Sequence, residues 1–197
     1  MPIILGIDPG TRITGYGVIS TSPTIEVIDF GAIRPPADLP LPERYCILFD
    51  AIEKLLDRFK PDALAIESQF VMKNVQSTLK LGMAKGMAIL AAARRKILIC
   101  EYSPKQAKLA VVGTGSASKE QVQKMVQVQL RLAIAPHPED AADALALAIC
   151  HAHRSRDVRS YTGNPQIQST APGRRVNRRN RLQTIHPSQL LHPTSGV

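Results

Sequence analysis

The chain is 197 residues long, suited to one domain, and 44% apolar, enough for a core, yet it has no Trp and only 4% aromatic residues. Its net charge of +9 points to a polyanionic partner, nucleic acid ahead of a membrane surface. No apolar run approaches the ~20 residues of a membrane span, and "MPIILGIDPG" lacks the basic lead-in of a signal peptide, so neither is expected, and no membrane is counted among the partners.

With aromatics scarce, Leu, Ile, Val and Ala must fill the core, which suits helices packed on a sheet. Three short strands are predicted at 3–8, 15–20 and 25–33, parted by Pro9-Gly10 and Ser22-Pro23, as an antiparallel meander. Tyr45, Leu48, Phe49, Ile52, Leu55, Leu56 and Phe59 then recur at helical spacing, closed by Pro61. "DALAIES" reads as a strand ending in Glu67, 74–95 as a long helix rich in Ala, Gly and Met, and "KILICEY" as a fifth strand. Ser103-Pro104 with Gln106, and Ser118 with Gln121, are capping boxes that open two more helices. Pro136 and Pro138 precede a last helix at 139–153.

The element order is βββ-α-β-α-β-α-α-α. A right-handed crossover lays the fourth strand parallel to the first, which gives an α/β fold with a five-stranded mixed sheet of order 3-2-1-4-5. Beyond Arg154 no hydrophobic period survives. Residues 1–154 carry 18 Lys/Arg against 15 Asp/Glu, for +3, and residues 155–197 carry 7 against 1, for +6. The expected division is a folded domain at 1–154 and a basic, disordered tail at 155–197.

The chemistry sits at strand ends. Asp8 closes the first strand and Glu67 the fourth, so parallel neighbours would project both carboxylates from one end of the sheet. Asp140 and Asp143 stand three apart at the start of the last helix and share a face. Two like charges at ~4 Å repel by about 4 kcal/mol at an effective dielectric near 20. No Lys or Arg lies inside these motifs, so divalent cations are the natural counter-charge, and all-oxygen ligands favour Mg²⁺ or Mn²⁺ over zinc. Taken singly, an Asp before Pro-Gly is more often a turn former, and an Asp near a helix start a dipole partner. Asp143, set in the nearly apolar "EDAADALALAIC", needs a cation or hydrogen bonds.

"GIDPGTRITGYGV", "IESQFVMKNVQSTLKLGMAKG", "VVGTGSASKEQVQ" and "EDAADALALAICHAH" occur in that order within 3–153, essentially the whole of the expected folded part. Together they resemble the successive motifs of the RuvC family of Holliday-junction resolvases. The resemblance implies an RNase H-like fold and a metal-dependent endodeoxyribonuclease that makes paired symmetric nicks in four-way DNA. Asp8, Glu67, Asp140 and Asp143 would be its catalytic, metal-binding set, with two Mg²⁺ per site and Mn²⁺ able to substitute. Some relatives place His where Asp140 stands. The implied partners are junction DNA, a second copy in a homodimer, and the RuvA and RuvB branch-migration proteins.

On residue chemistry alone, Phe70 in its polar loop is as well explained by core burial as by stacking on an unpaired base. The resemblance assigns it to junction contact. Lys108 and Lys119 read by themselves as ordinary surface lysines, and the resemblance places them against phosphate. "GTGSASK" lacks the Gly before Lys119 and the Ser/Thr after it that a nucleotide P-loop needs. His151 and His153, two apart, face different ways and are read as partners of a helix C-terminus rather than one metal site. Small residues in "GMAKGMAILAAA" suit close core packing, or a dimer contact.

Cys46, Cys100 and Cys150, odd in number and widely spaced, fit neither zinc nor disulfides and are expected buried in a reducing cytoplasm. Three rival readings are weaker. An actin-like or sugar-kinase ATPase needs roughly twice this length, a YqgF-type RNase H relative lacks the "DAADA" helix, and a junction binder without catalysis has no use for four carboxylates.

Overall fold

A computed structural model describes residues 1–68 and 74–162 of the chain. Strands β1 (Ile3–Asp8), β2 (Thr14–Ser20), β3 (Glu26–Ile33), β4 (Ala63–Glu67) and β5 (Leu98–Tyr102) form one sheet of order β3-β2-β1-β4-β5. β1 pairs antiparallel with β2 and parallel with β4, as the crossover rule requires. Asp8 and Glu67 thereby end adjacent parallel strands at the same edge.

Helices cover both faces. On one lie α1 (Leu41–Phe59) and α2 (Val75–Arg94), packed through Ile52, Leu56, Ala88, Ala91 and Ala92 onto Leu5, Ile7, Val18, Leu64 and Ile66. On the other lie α3 (Pro104–Val112), α4 (Lys119–Gln129) and α5 (Glu139–Thr162), packed onto Ile4, Ile19, Ala65 and Tyr102. A sheet covered on both faces explains why β4 is apolar without alternation. Both capping boxes are present, each with the Ser side chain accepting from the third backbone N–H and the Gln reaching back. α1 ends at Lys60 in a left-handed conformation (φ 45), just ahead of Pro61.

Three expectations need correction. The last helix does not stop at His153 but runs on to Thr162, into the stretch expected to be disordered. Its apolar period ends near Arg154, yet Ser155 to Thr162 holds no Pro or Gly, and Gly163 with Pro165 is the first stop signal in the sequence. His151 is consequently not at a helix C-terminus; it is buried and faces the sheet. Of the cysteines, only Cys150 is fully buried, while Cys100 is half-buried and Cys46 lies exposed on α1.

Candidate active site

Side chains alternate along a strand, so Gly6 and Asp8 on β1 share a face with Gly15 and Gly17 on β2. That face receives α5, and the three glycines let it approach closely. A Cβ at Gly6 would stand 2.0 Å from the Ala144 carbonyl oxygen, one at Gly15 1.9 Å from the Asp140 oxygen, and one at Gly17 2.7 Å from Leu145 Cδ2. No side chain larger than hydrogen fits at these positions. The first turn of α5, with Asp140 and Asp143, is therefore seated directly over the end of β1. Sequence reading missed this glycine track, although glycines two apart inside a strand signal close backbone approach.

The turn after Asp8 is held from two sides. Buried Thr14 donates its hydroxyl to the Gly10 carbonyl at 2.8 Å and accepts from the Gly10 N–H at 3.2 Å. Arg44 of α1 donates a guanidinium N–H to the Thr11 carbonyl. Glu67 is fixed by the β4–β5 ladder, which continues past it through the Ser68 N–H to the Tyr102 carbonyl at 2.8 Å.

The electrostatics show that these acids share one field. Burial, then Glu67, Asp143 and Asp140 in turn, raise Asp8 from its ordinary 3.8 to about 8. A carboxyl raised that far keeps its proton at neutral pH, and Asp8 hydrogen-bonds Glu67. Burial and Asp143 push Glu67 up as well, and burial raises Asp143. The offsetting cation is Lys119, at the first position of α4. Its Nζ lies 3.6 Å from Asp143 Oδ2 and 3.8 Å from Glu139 Oε2, and Asp143 foremost raises its own pKa. No cation adjoins these acids in the sequence; the fold brings Lys119 from a separate motif, and Lys85 of α2 also lowers Glu67.

Among the described residues, no three His, Cys, Asp or Glu side chains are arranged to hold an ion as they stand. The Asp8–Glu67 hydrogen bond and the Lys119–Asp143 ion pair engage oxygens that an ion would need. The donor set nevertheless suits a divalent cation: all oxygen, mutually repelling, and so poorly neutralised that one member retains a proton.

Lys108 is less free than expected, since its Nζ donates to the Ala117 carbonyl at 2.7 Å and holds the loop ahead of the Ser118 cap. An ammonium has three donors, so two remain. Phe70 lies outside the described residues. His151 does not stand among the acids; its Nδ1 meets the Tyr102 hydroxyl at 2.7 Å.

A family model described as "Crossover junction endodeoxyribonuclease RuvC" matches residues 4–151, three-quarters of the chain. The chain belongs to the RuvC family. It is 59% identical over 116 residues to RuvC of Protochlamydia amoebophila, covering 58% of this chain and 69% of that one. RuvC of Chlamydia pneumoniae is 51% identical over 117 residues, covering 58% and 70%. Among solved structures, Thermus thermophilus RuvC in complex with Holliday junction substrate matches with a TM-score of 0.75 and 33% identity, over 80% of this chain and 97% of that one. The yeast mitochondrial Holliday junction resolvase Ydc2 shares the fold at 16% identity and a TM-score of 0.58. The RuvC relationship makes this chain a crossover junction endodeoxyribonuclease, a hydrolase acting on DNA, in a family of divalent-metal-dependent nucleases. Among the described residues no helix is long and apolar enough to cross a membrane.

Proposed function

We propose that this RuvC-family chain resolves Holliday junctions by hydrolysing one phosphodiester in each of two opposed strands, with Asp8, Glu67, Asp140 and Asp143 holding the metal. The observation that carries this reading is the convergence of acids from β1, β4 and α5 at one end of the sheet, where Glu67, Asp143 and Asp140 all raise the pKa of Asp8. Two Mg²⁺ ions, or Mn²⁺ in their place, would supply an activated water and stabilise the leaving 3′ oxygen, giving 5′-phosphate and 3′-hydroxyl ends. Asp8 would have to release its proton to serve as a ligand. Lys119 leaves Asp143 and turns to the scissile phosphate, while Lys108 steadies the loop that carries Lys119 and offers its remaining donors to the DNA. Phe70, a few residues beyond Glu67, stacks on an unpaired base.

Paired nicks need two sites, so the active form is a homodimer. α2 supports this, because Val75, Leu79, Met83 and Leu90 are all more than half exposed on it. Leu79, Met83, Gly86 and Leu90 follow the spacing of a helix-pairing seam, and nothing stands within 4 Å of a Cβ built at Gly86. Branch-migration proteins of the RuvA and RuvB type are the partners in a cytoplasmic repair and recombination role.

The test is incubation of the purified chain with end-labelled four-way DNA and Mg²⁺. Symmetric nicks that a ligase can seal are expected. Binding without cleavage over a range of Mg²⁺ and Mn²⁺ would make it a junction-binding protein instead.

A further inference from the structure

The C-terminal end of β5 grips both faces of the sheet. Glu101 and Tyr102 are its last residues, and neighbours on a strand point to opposite sides. Glu101 reaches Lys85 on α2, Oε2 to Nζ at 2.5 Å, although Lys85 is only 9% exposed. Tyr102 reaches His151 on α5, hydroxyl to Nδ1 at 2.7 Å, and both residues are 7% exposed. Burial keeps the phenol protonated and the imidazole neutral, so the bond joins two uncharged groups.

The place of this bond matters. Tyr102 is the register partner of Glu67 on the neighbouring strand. His151 follows Asp143 by eight residues on the same helix. The bond thus ties the strand beside Glu67 to the helix that carries Asp140 and Asp143.

Near the acids that interface is built mostly from small groups. α5 lays the backbone of Asp140, Ala141, Ala144 and Ala148 over Gly6 and Gly15, with Leu145 on Gly17 as the large side chain among them. Contacts between such small groups set how near the helix lies, but they resist sliding along its axis weakly. A slide of one residue is ~1.5 Å, enough to spoil ligand geometry. A hydrogen bond is directional, and a buried one selects a single alignment.

We propose that the Tyr102–His151 hydrogen bond is the axial lock of α5, making both residues positioning residues that align Asp140 and Asp143 with Asp8 and Glu67 without touching metal or DNA. The inference rests on those four acids being the metal ligands.

The test measures Mn²⁺ binding to the full DNA-free chain by electron paramagnetic resonance, melting temperature by calorimetry, and nicking against Mn²⁺ concentration. The variants are Tyr102→Phe, His151→Leu, the two combined, and His151→Asn, whose amide occupies the place of Nδ1. Loss of a group hydrogen-bonded to a ligand costs about tenfold or more in metal affinity, and a slide of the helix that carries two ligands is expected to cost a similar factor. Tyr102→Phe and His151→Leu should each raise the Mn²⁺ dissociation constant about tenfold, with the nicking rate at saturating Mn²⁺ within about twofold of the original. The double variant should bind no worse than the poorer single one, because both remove the same bond. His151→Asn should recover most of the affinity. A folded Tyr102→Phe variant with a lower melting temperature and unchanged Mn²⁺ affinity overturns the lock and leaves the pair a core contact. Absence of Mn²⁺ binding by the unaltered chain overturns the metal assignment itself, and the lock with it.

Discussion

Gly15 lies directly beneath Asp140, so close that a Cβ would stand 1.9 Å from the Asp140 carbonyl oxygen. Backbone faces backbone at this point, and no side chain can swing aside. Gly15→Ala must lift the first turn of α5, at a cost of about 1–3 kcal/mol typical of overpacking. The variant should melt several degrees lower and bind Mn²⁺ more weakly, since Asp140 and Asp143 ride on the displaced turn. An Ala variant with the original melting temperature and metal affinity would mean that α5 has slack over β2.

The proposed ligands make a second prediction. Asp8→Asn, Glu67→Gln and Asp143→Asn each remove a charge while keeping the shape. Each should abolish nicking of four-way DNA and leave junction affinity near its original value, because the repelling acids do not hold the DNA. Nicking and gel-shift assays on the same preparations separate the two. Substantial metal-dependent nicking by any one of them removes that residue from the catalytic set.

Asp8 also sets a pH dependence. In the metal-free fold its pKa is about 8, against 3.8 ordinarily, so the native state holds a proton that the unfolded chain has released. Stability therefore falls as pH rises between those two values. The metal-free chain should melt lower at pH 8 than at pH 6, Asp8→Asn should flatten that slope, and Mg²⁺ should bind more tightly at the higher pH as the proton departs. Calorimetry with and without Mg²⁺ at both values checks all three.

What was legible in the sequence were features written locally. Asp8 and Glu67 could be placed at strand ends because apolar runs stop at them, and Ser103 and Ser118 could be read as caps because each box spans only four residues. The sheet order followed from one handedness rule applied to helix-linked strands. Other features depend on which elements meet. Glycines at 6, 15 and 17 acquire meaning only with α5 above them, and Lys119 becomes a partner of Asp143 only when α4 is laid beside α5. The end of α5 was misplaced because the apolar period marks the buried part of a helix and not its length. That error carried His151 with it, and a core histidine bonded to Tyr102 was read as a terminal one.

Lys119 should affect binding and turnover in opposite directions. It competes with a cation for Asp143, yet its proposed duty is at the scissile phosphate. Lys119→Met should bind Mn²⁺ more tightly in the absence of DNA and nick more slowly in single turnover at saturating enzyme. Weaker Mn²⁺ binding in a folded variant would show that the ion pair organises the acids rather than competing for them.

The last prediction concerns residues 164–197, where only charge can be argued. Arg174, Arg175, Arg178, Arg179 and Arg181 stand among them with no Asp or Glu. The family match ends at residue 151, before this stretch begins. Each phosphate neutralised adds about −0.9 to the slope of log affinity against log salt. A chain ended at Gly163 retains the whole of α5, whereas one ended at Arg154 would cut into that helix. The shorter chain should keep its melting temperature, its cleavage positions and its nicking rate at saturation. Its affinity should fall at low salt, with a slope shallower by about two to four units. The loss should be similar for four-way and plain duplex DNA, because arginine charge responds to phosphate density and not to junction shape. Fluorescence titrations of both DNAs at several salt concentrations measure this. A loss confined to the junction, or a slower saturated rate, would place these arginines in the recognition surface.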